Sequence, residues 1–201
     1  MTQGWAVREE HDRADAARYG QLLEAARTSF TELGYGLTTI AEITRRAGVS
    51  RATFYVYFAS KEHVFAVLAE QVRDDFARAQ GFGGIDPADV ERVMQHTIAT
   101  TFEVTVRHLG LMALLNHQAV ADADIRRLWS QIQDEVAHRA AAYVRQQAEA
   151  GHIAPVADPE TIALMGSGMN DRLAPLVAAG ELEQSEAVEQ IHRVWMAALG
   201  R

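Results

Sequence analysis

The chain has 201 residues, 48% of them hydrophobic, enough for a packed core and too many for a disordered chain. It holds 19 Lys and Arg against 27 Asp and Glu, a net charge of −8, which argues against binding nucleic acid through bulk charge. It has no cysteine, so disulfides, thiolate metal sites and cysteine nucleophiles are excluded.

Residues 1–15 are polar and charged, lack the apolar stretch of a signal peptide, and read as a flexible N-terminal arm. Residues 16–34 read as an amphipathic helix, with Leu22, Leu23, Ala26, Phe30 and Leu33 at helical spacing and Gly34 as its stop. Thr38 or Thr39 caps a second helix that carries Glu42 in its first turn and ends at Ala47-Gly48. Ser50 caps a third, over 51–57, and Ser60 a fourth, over about 60–80. Gly81-Phe82-Gly83-Gly84 breaks the chain, and Asp86-Pro87 restarts it. Longer apolar helices follow over 87–107, 108–120, 122–150, 159–179 and 182–199, with Pro175 expected to kink or shorten the fourth of these. No segment alternates with the period of a strand. The expected fold is all-α, with about nine helices. The longest compact apolar run, Leu111 to Leu115, is far too short to span a bilayer, so a soluble cytoplasmic protein is expected.

Two short helices joined by Ala47-Gly48-Val49-Ser50 make a helix-turn-helix, whose second helix would enter the major groove. Phe54 and Phe58, four apart, are placed to anchor that helix to the core. Arg51 can pair with guanine or phosphate, and Thr53 can donate to phosphate or touch a thymine methyl. Tyr55 and Tyr57 suit phosphate contacts. Lys61, the only lysine in the chain, follows the Ser60 cap and makes a phosphate clamp with that helix N-terminus. Between Gly36 and His63 the local charge is positive: Arg45, Arg46, Arg51 and Lys61 outnumber Glu42 and Glu62. A small basic face on an acidic body suffices for DNA.

Residues 18–65 resemble the DNA-binding domain of TetR-type transcriptional repressors. The matching elements are Ala25-Ala26, Phe30, Gly34-Tyr35, Thr38-Thr39-Ile40, Ala47 to Ser50, Thr53 to Phe58 and Ser60-Lys61-Glu62. Ala52 and Val56 depart from the family's usual glycine and polar or basic residue. The resemblance implies a three-helix DNA reader over 16–62, with a connecting helix 60–80, and a ligand-binding and dimerisation domain over 63–201. The candidate DNA-contacting residues are Thr38, Thr39, Arg45, Arg46, Ser50, Arg51, Ala52, Thr53, Tyr55, Tyr57 and Lys61. It also implies a homodimer on a palindromic operator, released by a small-molecule effector, with no cofactor and no membrane partner.

In the C-terminal half, Ala163, Gly166 and Ser167 form a small-residue face that would admit a second helix. With Leu164, Val188, Ile191 and Trp195 they make the expected dimer seam. Met94, His96, Phe102, Met112, Asn116, His117, Trp129 and Tyr143 are candidates for a partly apolar ligand pocket, although each could equally fill the core. The histidines lack the i, i+4 spacing of a zinc helix, so no metal site is expected. No nucleophile elbow or phosphate-binding loop is present, and nothing supports an enzyme. Two alternatives stand beside a ligand-released repressor: an all-helical binding or catalytic protein with a vestigial helix-turn-helix, and a TetR-like activator.

Overall fold

The computed structural model describes the backbone of residues 3–201 and the side chains of residues 15–201. Eight helices, and no strand, occur among the described residues: α1 Gln3–Leu37, α2 Ile40–Ala47, α3 Arg51–Tyr57, α4 Lys61–Ala79, α5 Val90–Gln118, α6 Ala123–Glu149, α7 Pro159–Ala178 and α8 Gln184–Ala198. The side chains of the expected N-terminal arm, with Arg8 and Arg13, lie outside the described residues.

Caps and turns fall where the local chemistry puts them. Gly34 leaves helical geometry at φ 78°, ψ 164° and interrupts α1 before its last residues. Thr39 caps α2 by accepting from the Glu42 N–H at 3.2 Å, an interaction worth about 1 kcal/mol. Gly48 closes α2 in the left-handed region at φ 66°, ψ 29°, a conformation that costs a residue with a Cβ about 1–2 kcal/mol. Ser50 caps α3 through the Thr53 N–H at 3.0 Å, and Ser60 caps α4 through the His63 N–H at 3.2 Å. Asp122 accepts from the N–H groups of Asp124 and Ile125 at the start of α6.

Three boundaries differ from expectation. The segments 87–107 and 108–120 form one helix, α5, because Gly110 is exposed and a single exposed glycine costs a helix only about 1 kcal/mol. That helix starts at Val90, not 87: Asp86 and Pro87 lie in a turn, and the Asp89 carboxylate accepts from the Arg92 N–H instead. α7 continues through Pro175 to Ala178, since the proline stands in its last turn.

The chain divides into two compact units, Met1–Glu70 with Ala113–Arg126 and Gln71–Met112 with Arg127–Arg201. In the first, Phe30 packs edge-on to Phe65 at 5.0 Å and stacks on Tyr35 at 5.6 Å. Leu22, Ile43, Phe54, Leu68 and Leu115 are also buried there. In the second, Val93, Phe102, Val144, Ile162, Ile191 and Trp195 belong to one core cluster. α5 is long and apolar enough to cross a membrane by length and composition. Its Val90, Val93, Ile98 and Phe102 are buried in that cluster, which is how a core helix of a globular unit behaves.

Candidate nucleic-acid interface and ligand cavity

α3 has two faces. Phe54 and Phe58 are buried, with their rings 5.6 Å apart, and Phe58 also stacks on Tyr19 at 5.3 Å. Burying each phenylalanine contributes about 1.5–3 kcal/mol, which fixes the rotation of the short helix about its own axis. The opposite face is open. Arg51 and Ala52 are exposed, Tyr55 is 55% exposed and Val56 75% exposed. Ser50 is exposed as well, with its Oγ 2.9 Å from Thr53 Oγ1.

The other candidate contacts fall into different surroundings. Thr38 is buried, and its hydroxyl lies within hydrogen-bonding distance of the carbonyls of Ser29 and Gly34. Its side chain holds the α1–α2 turn and does not reach an outer surface. Tyr57 is half-buried and donates to the Asp15 carboxylate at 3.3 Å; burial first, and then that carboxylate, raise its hydroxyl above the ordinary range. Lys61 donates from Nζ to the Tyr35 carbonyl at 2.9 Å and sits 4.4 Å from the centre of the Tyr35 ring. Tyr35 itself is pushed up to about 12 by burial and then by Glu62.

Arg45 and Arg46 share Glu42. Arg45 is bidentate to that carboxylate at 2.8 and 2.7 Å, and Arg46 donates to it at 2.6 Å while also reaching Glu32 at 2.6 Å. Hydrogen bonds from Arg45 and then Arg46 hold the Glu42 carboxyl at about 2. Arg45 remains exposed, as does Thr39, whereas Arg46 is half-buried in its two ion pairs.

The second unit contains a cavity of about 370 Å³. Three helices line it with one repeated spacing: Met94, Thr97, Ile98 and Thr101 on α5, Val136, Arg139, Ala140 and Tyr143 on α6, Ala163, Gly166, Ser167 and Asn170 on α7. Each set runs i, i+3, i+4, i+7, a single face of a helix. Gln80, Phe82, Ile191 and Trp195 add to the wall, and exposed Ala142 and Gln146 take it to the surface.

Of the expected pocket residues, only Met94 and Tyr143 line this cavity. Phe102 is fully buried core. His96 packs against Gly83, where a Cβ would fall 2.9 Å from its Nε2. Trp129 is buried elsewhere, Met112 is half-buried, and Asn116 and His117 are exposed. Most residues of the expected dimer seam border the same cavity. Ala163, Gly166, Ser167, Ile191 and Trp195 all line this cavity, and Gly166 makes room for the Trp195 ring of the same chain. A Cβ on Gly166 would lie 2.4 Å from the Trp195 ring. Leu164 is 69% exposed, and Val188 is half-buried against the core. Sequence reading overlooked Gln80, Thr97, Thr101 and Asn170; the available signal was polar residues recurring within otherwise apolar helical stripes. No cluster of three or more metal-ligating side chains occurs among the described residues.

Two protein families match successive parts of the chain. Residues 22–68 match the family of bacterial regulatory proteins of the tetR type. Residues 94–200 match the C-terminal domain of the transcriptional regulator EthR. The chain belongs to the TetR family of transcriptional regulators, with a C-terminal domain of the EthR type. It is 23% identical to the regulator EthR of Mycobacterium tuberculosis over 166 residues, 80% of this chain and 77% of that one. It is 29% identical to the regulator YvdT of Bacillus subtilis over 102 residues, 49% of this chain, and so spans about half (51%) of that relative's length. A TetR-family regulator from Rhodococcus sp. superposes with a TM-score of 0.73 at 16% identity, covering 92% of this chain and 100% of that one, a likeness of fold.

Proposed function

We propose that the protein is a homodimeric repressor that reads a palindromic operator with α3 and lets go of it when a small, partly apolar molecule fills the cavity of its second unit. The observation that carries this reading is the split of α3: Phe54 and Phe58 are buried, while Arg51, Ala52, Tyr55 and Val56 face outward. Arg51 is the residue for a guanine edge, and Ala52 and Val56 offer methyl groups to thymine. Exposed Thr39, Arg45, Ser50 and Tyr55 are suited to phosphates. One of the three Lys61 donors is committed to Tyr35, which leaves two for a phosphate.

The second copy is proposed to dock on the outward stripe of α7, where Leu164, Gly168 and Pro175 are exposed, together with Val194 of α8. Two-fold symmetry would then set the two α3 helices about 34–36 Å apart, one turn of DNA. An effector that binds one of two conformations better shifts that spacing with a coupling of about 1–3 kcal/mol. Random-site selection with the purified protein, followed by titration of the selected duplex, tests the reading. It predicts an inverted repeat bound with steep salt dependence, and the absence of any sequence preference would defeat it.

A further inference from the structure

The turn between α3 and α4 consists only of Phe58, Ala59 and Ser60, and a side chain that can titrate ties it. Ser60 Oγ accepts the His63 N–H at 3.2 Å, and Nδ1 of the His63 ring accepts the Ala59 N–H at 3.1 Å. The two residues form a reciprocal cap in which histidine takes the place of the usual Glu or Gln and reaches one residue further back. The ring also meets Phe58 edge-on, with centroids 5.8 Å apart. Phe58 is buried and closes the end of α3, so His63 touches both sides of the turn.

That tie admits one protonation state of His63. A ring nitrogen that accepts carries no proton, so the hydrogen of the neutral ring sits on Nε2. Protonation turns Nδ1 into a donor facing the Ala59 N–H, and it adds a cation at a helix N-terminus, where the dipole disfavours one. No carboxylate pairs with His63 among the described residues to offset that charge. Its first-turn neighbours Lys61 and Glu62 are both bonded to Tyr35, through its carbonyl and its hydroxyl. Phe58, packed on the ring, brings no charge, and Tyr19 stacks on Phe58.

We infer that His63 is a positioning residue of the DNA reader: its neutral ring, bonded to Ala59, sets α3 and Lys61 in place, and its protonation loosens both. This rests on α3 being the reading helix. Histidine changes charge between about pH 5 and 8, so acid weakens operator binding through this residue. The sign is decisive, because a protonated histidine that simply met a phosphate would tighten binding instead. The full-length parent, His63→Gln and His63→Ala proteins are titrated against the selected operator duplex at about pH 7.5 and about pH 5.5, at one ionic strength. His63 is exposed, so neither substitution opens the core, and every other titrating group is common to the three proteins. Glutamine keeps an acceptor and does not titrate. It is expected to match the parent at the higher pH and to bind about two- to tenfold more tightly than the parent at the lower, the range of one neutral hydrogen bond. Alanine is expected to bind about two- to tenfold less tightly than the parent at the higher pH. In nuclear magnetic resonance spectra of the free proteins, the Ala59 amide proton shifts with pH in the parent and stays still in His63→Gln. Identical pH profiles for the parent and His63→Gln, or a parent that gains on that variant in acid, overturn the inference and leave α3 as the reading helix. If no duplex is preferred at either pH, the reading role of α3 and the positioning role of His63 fall together.

Discussion

Glu42 shows how one side chain ties fold to function. It lies in the first turn of α2 and gathers Arg45 and Arg46, two of the cations expected to meet phosphate. With its carboxyl held at about 2 against an ordinary 4.5, the ion-paired form contributes stability that is complete above pH 4.5 and lost as the pH falls through about 2. Glu42→Gln should therefore melt below the parent at neutral pH, and the gap should close between pH 4.5 and 2; thermal melts across that range check it. A gap that is constant with pH would show that the ionised carboxylate is not what matters. Thr38 teaches the converse. Its sequence context resembles a DNA contact, yet its hydroxyl is spent on Ser29 and Gly34. Which of two adjacent threonines faces inward depends on the packing of α1 against α2, which local spacing does not encode.

Helix α7 sets propensity against packing. Alanine is favoured over glycine in a helix by about 1 kcal/mol, so Gly166→Ala would stabilise an isolated α7. The added Cβ would stand 2.4 Å from the Trp195 ring, and forcing an atom into a packed core costs about 1–3 kcal/mol. The clash wins, and chemical denaturation should find the variant less stable than the parent. Within the subunit, Gly168 has nothing within 4 Å of such a Cβ, so Gly168→Ala should spare the subunit's own stability, and any loss should appear in dimerisation. Leu164→Arg tests the outer stripe of the same helix. It should leave the subunit's own unfolding free energy within about 0.5 kcal/mol of the parent, as exposed substitutions do, while converting dimer to monomer in sedimentation. A persistent dimer would place the interface elsewhere. The elements themselves were largely legible from Gly34, Gly48, the Ser and Thr caps and the apolar period. The partner of each face was not. The stripe Ala163, Gly166, Ser167 announces a close helix approach, but its spacing is the same whether the approaching side chain is Trp195 of the same chain or a helix of a second copy.

For the whole molecule, an acidic chain can read DNA because only one small face has to carry the work. The reader's motif was legible in sequence because its turn glycine, caps and buried phenylalanines are all local. The cavity was not, because its wall is assembled from α5, α6, α7 and α8 at wide sequence separation. Helix α4 contributes Lys61–Glu70 to one compact unit and Gln71–Ala79 to the other. Whether α3 reads the operator is decided by fluorescence anisotropy of a selected operator duplex, titrated with parent, Arg51→Ala and Tyr55→Ala proteins at several salt concentrations. Loss of a base-reading arginine is expected to cost about 1–3 kcal/mol, roughly 5- to 150-fold in affinity, and loss of a phosphate-contacting tyrosine a smaller amount independent of sequence, with both variants melting as the parent does. Unchanged affinity in both variants, or a parent that binds a scrambled duplex equally well, would contradict the assignment of α3 as the reading helix.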